Sequence, residues 1–228
     1  MIADRLSQVI ENIESAKRRS GNNKIVDIVA VSKTQSYSKI IEIYNLGIRS
    51  IGENRIQEAE KKIKQLPELP MLKKRMIGHL QSNKVNRALG LFDAIDAIDS
   101  VKLAVKIAQR STGDGFPSLL EVNTSGELTK YGFNPHHTEE LLKCCVMEGI
   151  TVDGLMTVGP LTDNESDTRG SFTQLRRLLE SLNRELPDER KLTVLSMGMS
   201  NDYQIAIEEG STMLRLGTVL FGPRIISR

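Results

Sequence analysis

Lys33 is the residue whose type and setting first suggest chemistry. It follows the run Ile25-Val26-Asp27-Ile28-Val29-Ala30-Val31-Ser32 and precedes the polar turn Thr34-Gln35-Ser36, so an extended, β-branched segment ends in a primary amine. A neutral amine held there can attack a carbonyl, whereas a lysine that merely reaches solvent would serve equally well as a strand end. Two later stretches offer groups for an anion. In Ser196-Met197-Gly198-Met199-Ser200-Asn201-Asp202, Gly198 permits a tight turn and Ser200 is expected to cap a helix starting near Asp202. In Arg215-Leu216-Gly217-Thr218, Gly217 allows close backbone approach and Thr218 adds a hydroxyl at a further helix start. Ordinary helix capping explains either loop taken alone.

Positioning these groups together requires a particular architecture. Short apolar runs alternate with amphipathic stretches along the chain, as in parallel strands joined by helices. After an opening helix with Leu6, Val9, Ile10 and Ile13 on one face, eight strands are expected: residues 25–31, 50–51, 75–78, 94–98, 118–122, 151–155, 193–195 and 213–216. Eight such steps in 228 residues predict an α/β fold, a single TIM-type (β/α)8 barrel with an extra N-terminal helix, spanning residues 1–228 as one domain. The polar stretch 162–170 reads as a loop. An open doubly wound sheet would need a glycine-rich turn after its first strand, and Ser32-Lys33-Thr34-Gln35 has none. In a barrel, strands one and eight become neighbours, so Lys33, Arg215 and both anion-binding loops share the rim at the strands' carboxyl ends. An amine beside a phosphate cradle suits a ligand carrying both a carbonyl and a phosphate, pyridoxal phosphate first and a sugar phosphate second.

Composition narrows the function classes. Thirty-one Lys and Arg against 29 Asp and Glu leave a formal charge of +2, with no basic stripe to follow a nucleic acid. No apolar run approaches the length of a membrane span, and charged residues interrupt the first turns, so an intracellular, cytoplasmic protein is expected. The two cysteines, Cys144 and Cys145, are adjacent and cannot pair in ordinary geometry; a helix over about 135–148 would bury them as thiols. His79 follows a strand and is open to either a ligand or a structural role, whereas His136 and His137 have no metal-ligand spacing and read as exposed. No metal is predicted. Tyr37, Tyr44, Tyr131 and Tyr203 read as structural.

Several stretches together carry a resemblance. Val31-Ser32-Lys33-Thr34, Gly52-Glu53-Asn54-Arg55-Ile56-Gln57-Glu58, Ile77-Gly78-His79-Leu80-Gln81-Ser82-Asn83-Lys84, Gly154-Leu155-Met156-Thr157, residues 196–202 and Arg215 to Gly222 occur in the order seen in one family. The chain resembles the YggS/PROSC family of pyridoxal phosphate homeostasis proteins over nearly its whole length. The resemblance implies a barrel like the N-terminal domain of alanine racemases, with pyridoxal 5′-phosphate held as a Schiff base on Lys33. It further implies Arg215 at the pyridine nitrogen, Ser200 with the backbone of Gly217 and Thr218 at the phosphate, Asn54 near the ring, and a backbone contact from Met199.

An arginine at that nitrogen leaves the ring a weaker electron sink than a carboxylate would. Only residues 223–228 follow Gly222, too few for the second domain that supplies the racemase's opposing tyrosine. Binding and supply of the cofactor without substantial catalysis is therefore the favoured reading, by a monomer with apo-enzymes as candidate recipients. An amino-acid racemase is the alternative, and a Schiff-base sugar-phosphate aldolase a more distant one. Two features depart from the family pattern or stay open. Relatives often carry a second lysine two positions beyond the first, where this chain has Gln35, and the segment 224–228 is short of the lysines seen in some of them. Lys130, in the loop after strand five, is either ligand-facing or solvated.

Overall fold

The computed structural model describes residues 1–127 and 129–223, so the segment 224–228 lies outside the described residues. Its strands are β1 (Asp27–Val31), β2 (Ser50–Glu53), β3 (Lys73–Met76), β4 (Ala94–Ile98), β5 (Phe116–Glu121), β6 (Ile150–Met156), β7 (Val194–Ser196) and β8 (Met213–Leu216). The helices are α1 (Ile2–Ser20), α2 (Tyr37–Asn45), α3 (Ile56–Ile63), α4 (Val85–Leu89), α5 (Val101–Ala108), α6 (Thr138–Cys145), α7 (Glu165–Glu185), α8 (Tyr203–Glu208) and α9 (Thr218–Phe221). All strand pairs are parallel, and the sheet closes in sequence order from β1 to β8. The expected barrel and its leading helix are therefore present.

Two apolar layers hold it. Outward-facing strand residues such as Ala30, Leu120 and Leu155 pack under helix residues including Phe172, Leu175 and Leu182. Inside, Val29, Ala97, Leu119, Met156 and Met213 form a smaller cluster. The interior also holds charge, because Arg75 grips Asp96 through two hydrogen bonds of 2.7 and 2.8 Å with both groups buried. At Gly154 on β6, a Cβ would lie 1.9 Å from the Val194 carbonyl oxygen, so only glycine allows β6 and β7 to pair there.

Local boundaries differ from the sequence expectations for identifiable reasons. β1 begins at Asp27 instead of Ile25, which is 82% exposed. β3 runs over 73–76 instead of 75–78, starting on two lysines that pair with Ser50 and Ile51 of β2. On α1 the buried face is Ile2, Leu6, Val9, Ile13 and Ala16; Ile10 is exposed because it stands one residue, about 100°, round from Val9. The stretch 162–170 is a loop only as far as Asn164. From Glu165 it is α7, with the Asn164 side chain accepting the Ser166 amide and two acidic residues in the first turn. Its buried side begins with Thr168 and Ser171, polar residues that hide the apolar period. Cys144 and Cys145 are buried on α6, a shorter helix than 135–148.

Candidate functional site

The predicted residues fall on one arc of the rim. Lys33 follows β1, Asn54 follows β2, Met199 and Ser200 follow β7, and Arg215, Gly217 and Thr218 lie on or just after β8. Closure makes these four strands consecutive in the order β7, β8, β1, β2. Val29 pairs with Arg215 and Ala30 with Leu216, which puts Lys33 beside the β8 end.

Lys33 occupies the second position of a turn closed by the Gln35 amide donating to the Ser32 carbonyl at 2.9 Å. Thr34, at the third position, has φ of 64°, a left-handed value that glycine or asparagine normally takes in such turns. For a β-branched residue this costs on the order of 1–3 kcal/mol, so the surroundings must impose it. They do so through Glu58, whose Oε1 accepts the Thr34 amide at 2.5 Å. Gln35, standing where relatives often carry a second lysine, accepts from Lys39 Nζ at 2.9 Å.

Arg215 is 4% exposed and held by its neighbours. Its guanidinium donates to the carbonyl and hydroxyl of Ser196 at 2.8 and 2.9 Å, and to the carbonyl of Thr157 at 2.7 Å, bracing β6, β7 and β8. Burial lowers its pKa below the ordinary arginine value, while Glu121, Asp96 and Asp202 oppose the shift.

The loops after β7 and β8 meet through one hydroxyl. Ser200 Oγ accepts the amides of Gly217 at 3.3 Å and Val219 at 3.2 Å. Ser200 therefore caps α9 and not, as its sequence neighbourhood suggested, α8. The α8 entry is organised by Asp202, whose Oδ1 accepts the Met199 amide at 2.5 Å; burial nevertheless raises the Asp202 pKa. Gly198 makes this crossing possible, with φ of 97° and room for no Cβ, which would lie 2.6 Å from Ala206.

The next stretch of rim carries His79, together with Asp99 and Glu121, which no sequence motif had marked. His79 Nδ1 is 2.8 Å from Asp99 Oδ2, and the His79 ring stacks on Tyr131 at 3.8 Å between centroids. The stacking gives Tyr131 a packing role, in keeping with its structural reading from sequence. Glu121, ending β5, is 9% exposed, and burial pushes its carboxyl up to about 7; Arg215 and His79 oppose that rise, while Asp99 adds to it. The only signal for Glu121 was an acidic residue closing an apolar strand. Lys130 is occupied by Glu127 at 2.6 Å and the Gly159 carbonyl at 2.8 Å, while His136 and His137 are exposed.

Whether a ligand fits is tested by Asn54. Its Oδ1 is buried without a hydrogen-bond partner among the described residues, at the edge of a cleft of about 440 Å³ also lined by Met76, Gly78 and His79. Gly78 lies so close to the Asn54 backbone that a Cβ would be 2.7 Å from its carbonyl oxygen. An acceptor held in place yet unsatisfied suits a polar ligand at this rim. A larger groove of about 580 Å³ beside α7, lined by Arg169, Thr173 and Arg177, contains none of the strand-end residues and is set aside.

The alanine racemase N-terminal domain family model matches residues 5–224. The pyridoxal phosphate homeostasis protein of Aquifex aeolicus is 40% identical over 225 residues, 97% of each chain. The chain belongs to the pyridoxal phosphate homeostasis protein family. Among solved structures, PipY of Synechococcus elongatus with PLP bound is 35% identical, with a TM-score of 0.83 over 97% of this chain and all of that one. An alanine racemase of Clostridium difficile shares the fold, with a TM-score of 0.76 at 15% identity; this chain covers 60% of it. In this chain, the arc from β7 to β2 is the part of the rim where the candidate residues collect.

Proposed function

We propose that this protein binds pyridoxal 5′-phosphate through Lys33 and serves intracellular homeostasis of the cofactor, holding and supplying it without substantial turnover. One observation carries the reading: Lys33 stands at the end of β1 between the β8 strand of Arg215 and the β2 end of Asn54, with the Ser200–Gly217 bridge on the same arc. The homeostasis proteins among its relatives and the PLP-bound PipY support the same ligand.

The roles follow from the chemistry of each group. Lys33 supplies the amine for covalent attachment of the cofactor's aldehyde. Ser200 and the backbone amides of Gly217 and Thr218 hold the phosphate, with the Met199 backbone adjoining; Asn54 offers its unsatisfied oxygen near the ring. Arg215 stays charged and faces the ring nitrogen as a donor only, which discourages protonation there. The bound cofactor supplies an electron-withdrawing ring, and this arginine limits how far it can be used.

The same reading makes residues 1–228 one cofactor-binding domain, working as a cytoplasmic monomer with apo-enzymes as recipients. Among the described residues no helix is long and apolar enough to cross a membrane. The second reading, an amino-acid racemase, draws on Glu121 and the His79–Asp99 pair, which add titratable groups to the opposite arc of the rim. Deuterium incorporation from solvent at an amino acid's α-carbon, dependent on Lys33, would establish it.

The deciding experiment is absorption spectroscopy with added pyridoxal 5′-phosphate, followed by borohydride reduction and peptide mass mapping, with Lys33→Ala alongside. A visible band and a reduced adduct on Lys33, both missing from the variant, are expected. An adduct elsewhere, or none, would overturn the assignment.

A further inference from the structure

Lys62, on α3, is a buried lysine whose ammonium has three partners. It donates to Glu53 Oε1 at 2.5 Å, to Glu58 Oε1 at 3.0 Å and to the Ser32 backbone carbonyl at 2.6 Å. Ser32 returns a bond of 2.6 Å from its hydroxyl to the same Glu53 oxygen. Glu58 also accepts the Thr34 amide. The residues immediately before and after Lys33 are thus tied to one ionic cluster on β2 and α3.

Its energetics point beyond generic packing. A buried ion pair contributes little net stability compared with apolar side chains of the same volume, and its retention needs another reason. Burial raises the Glu53 pKa despite Lys62 and Ser32, and Glu53 Oε2 has no partner among the described residues. Glu58 also loses solvation, yet the Thr34 amide and Lys62 together hold its carboxyl below the usual value. The cluster accepts these costs at the place where Thr34 is forced to positive φ, and strain that the surroundings impose is typical of positions where geometry matters to function.

We propose that Lys62, acting with Glu53 and Glu58, is a positioning residue that clamps the turn around Lys33 and thereby sets where its amine stands. This rests on the reading of Lys33 as the cofactor's attachment point. The cluster does not touch the cofactor in this scheme; it fixes the carbonyl of Ser32 and the amide of Thr34, leaving Lys33 one permitted backbone path between them.

The test uses the full chain and two readouts. In cofactor-free protein, hydrogen exchange of the peptide containing residues 32–35 should quicken on the order of tenfold in Glu58→Ala and Lys62→Met, from loss of the bonds that hold the turn. Borohydride-trapped adduct formation on Lys33 with pyridoxal 5′-phosphate should slow by on the order of tenfold in the same variants, since small misplacements of a reacting group are costly. Glu58→Gln keeps an acceptor for the Thr34 amide and should recover most of both effects. Thr34→Gly removes the Cβ penalty and should shrink the consequence of Glu58→Ala.

Wild-type adduct rates in Glu58→Ala and Lys62→Met would overturn the inference while leaving the functional reading intact. So would failure of Glu58→Gln to rescue, with losses that merely follow the melting temperature. A wild-type protein that forms no adduct on Lys33 would instead overturn the functional reading, and this inference with it.

Discussion

The hydroxyl of Ser200 accepts the amide of Gly217 at 3.3 Å, joining the loop after β7 to the first turn of α9. Because the same oxygen also takes the Val219 amide, one side chain sets the spacing between the two loops. Ser200→Ala should weaken pyridoxal 5′-phosphate binding about tenfold, the effect of losing one hydrogen bond to a charged group. Fluorescence titration with the cofactor measures it, and an unchanged affinity would remove Ser200 from the phosphate site.

Glu121 makes stability depend on pH in a definite direction. Its carboxyl titrates near 7 in the folded chain, chiefly because it is buried, and near 4.5 when unfolded. Between those values the folded state binds the extra proton, so this contribution is complete below about 4.5 and is lost as pH rises to 7. Glu121→Gln should flatten that decline, with a relative gain of up to about 3 kcal/mol at pH 8. Urea unfolding at pH 5 and pH 8 tests the sign; parallel curves for both proteins would refute it.

Arg215 should prove structural as well as ligand-directed. It makes three hydrogen bonds to Ser196 and Thr157, and Arg215→Met would take this donor from the Thr157 carbonyl and the Ser196 hydroxyl, while the Ser196 carbonyl would keep the Thr157 amide at 3.1 Å. The cofactor-free variant should lose about 2–4 kcal/mol, within the range for breaking buried polar networks. Equilibrium denaturation measures the loss, and an unchanged midpoint would limit Arg215 to contacts with the ligand.

Cys144 and Cys145 should resist alkylation. Burial pushes their thiols up to about 11 and about 12, so little thiolate exists at neutral pH. Iodoacetamide at pH 8 should label neither in the native protein and both after denaturation, as counted by mass spectrometry.

Much of the strand sequence was legible because strands such as β1, β4 and β5 carry a compact apolar run, and β4 and β8 have the very limits expected from the sequence, whereas β3 starts on two lysines. What hid α7 was an entry of polar residues whose helical character comes from the Asn164 cap and the acidic first turn. Lys33, Arg215 and the two anion-binding loops could be placed on one arc because strand order in a barrel follows chain order. Glu121 and Lys62 were not legible in that way. Their partners come from other strands and loops, such as Ser32 for Lys62, and only the closed sheet shows which charges face each other. Ser200 was foreseen as a capping residue, but the helix it caps begins eighteen residues away from it in sequence, a pairing that local pattern cannot reveal.

The pairing of β1 with β8 has a consequence in time. Val29 meets Arg215, and Ala30 meets Leu216, across nearly the whole described chain. Contacts this distant form slowly, after the intervening loop has been ordered. During synthesis Lys33 is made long before Arg215 and Gly217, so on the proposed reading its amine stands without the β8 side of the site until that strand has been added. If the proposed site is right, selective loading belongs to the closed ring alone, and a chain stalled before β8 would carry the lysine without the groups proposed to choose its ligand.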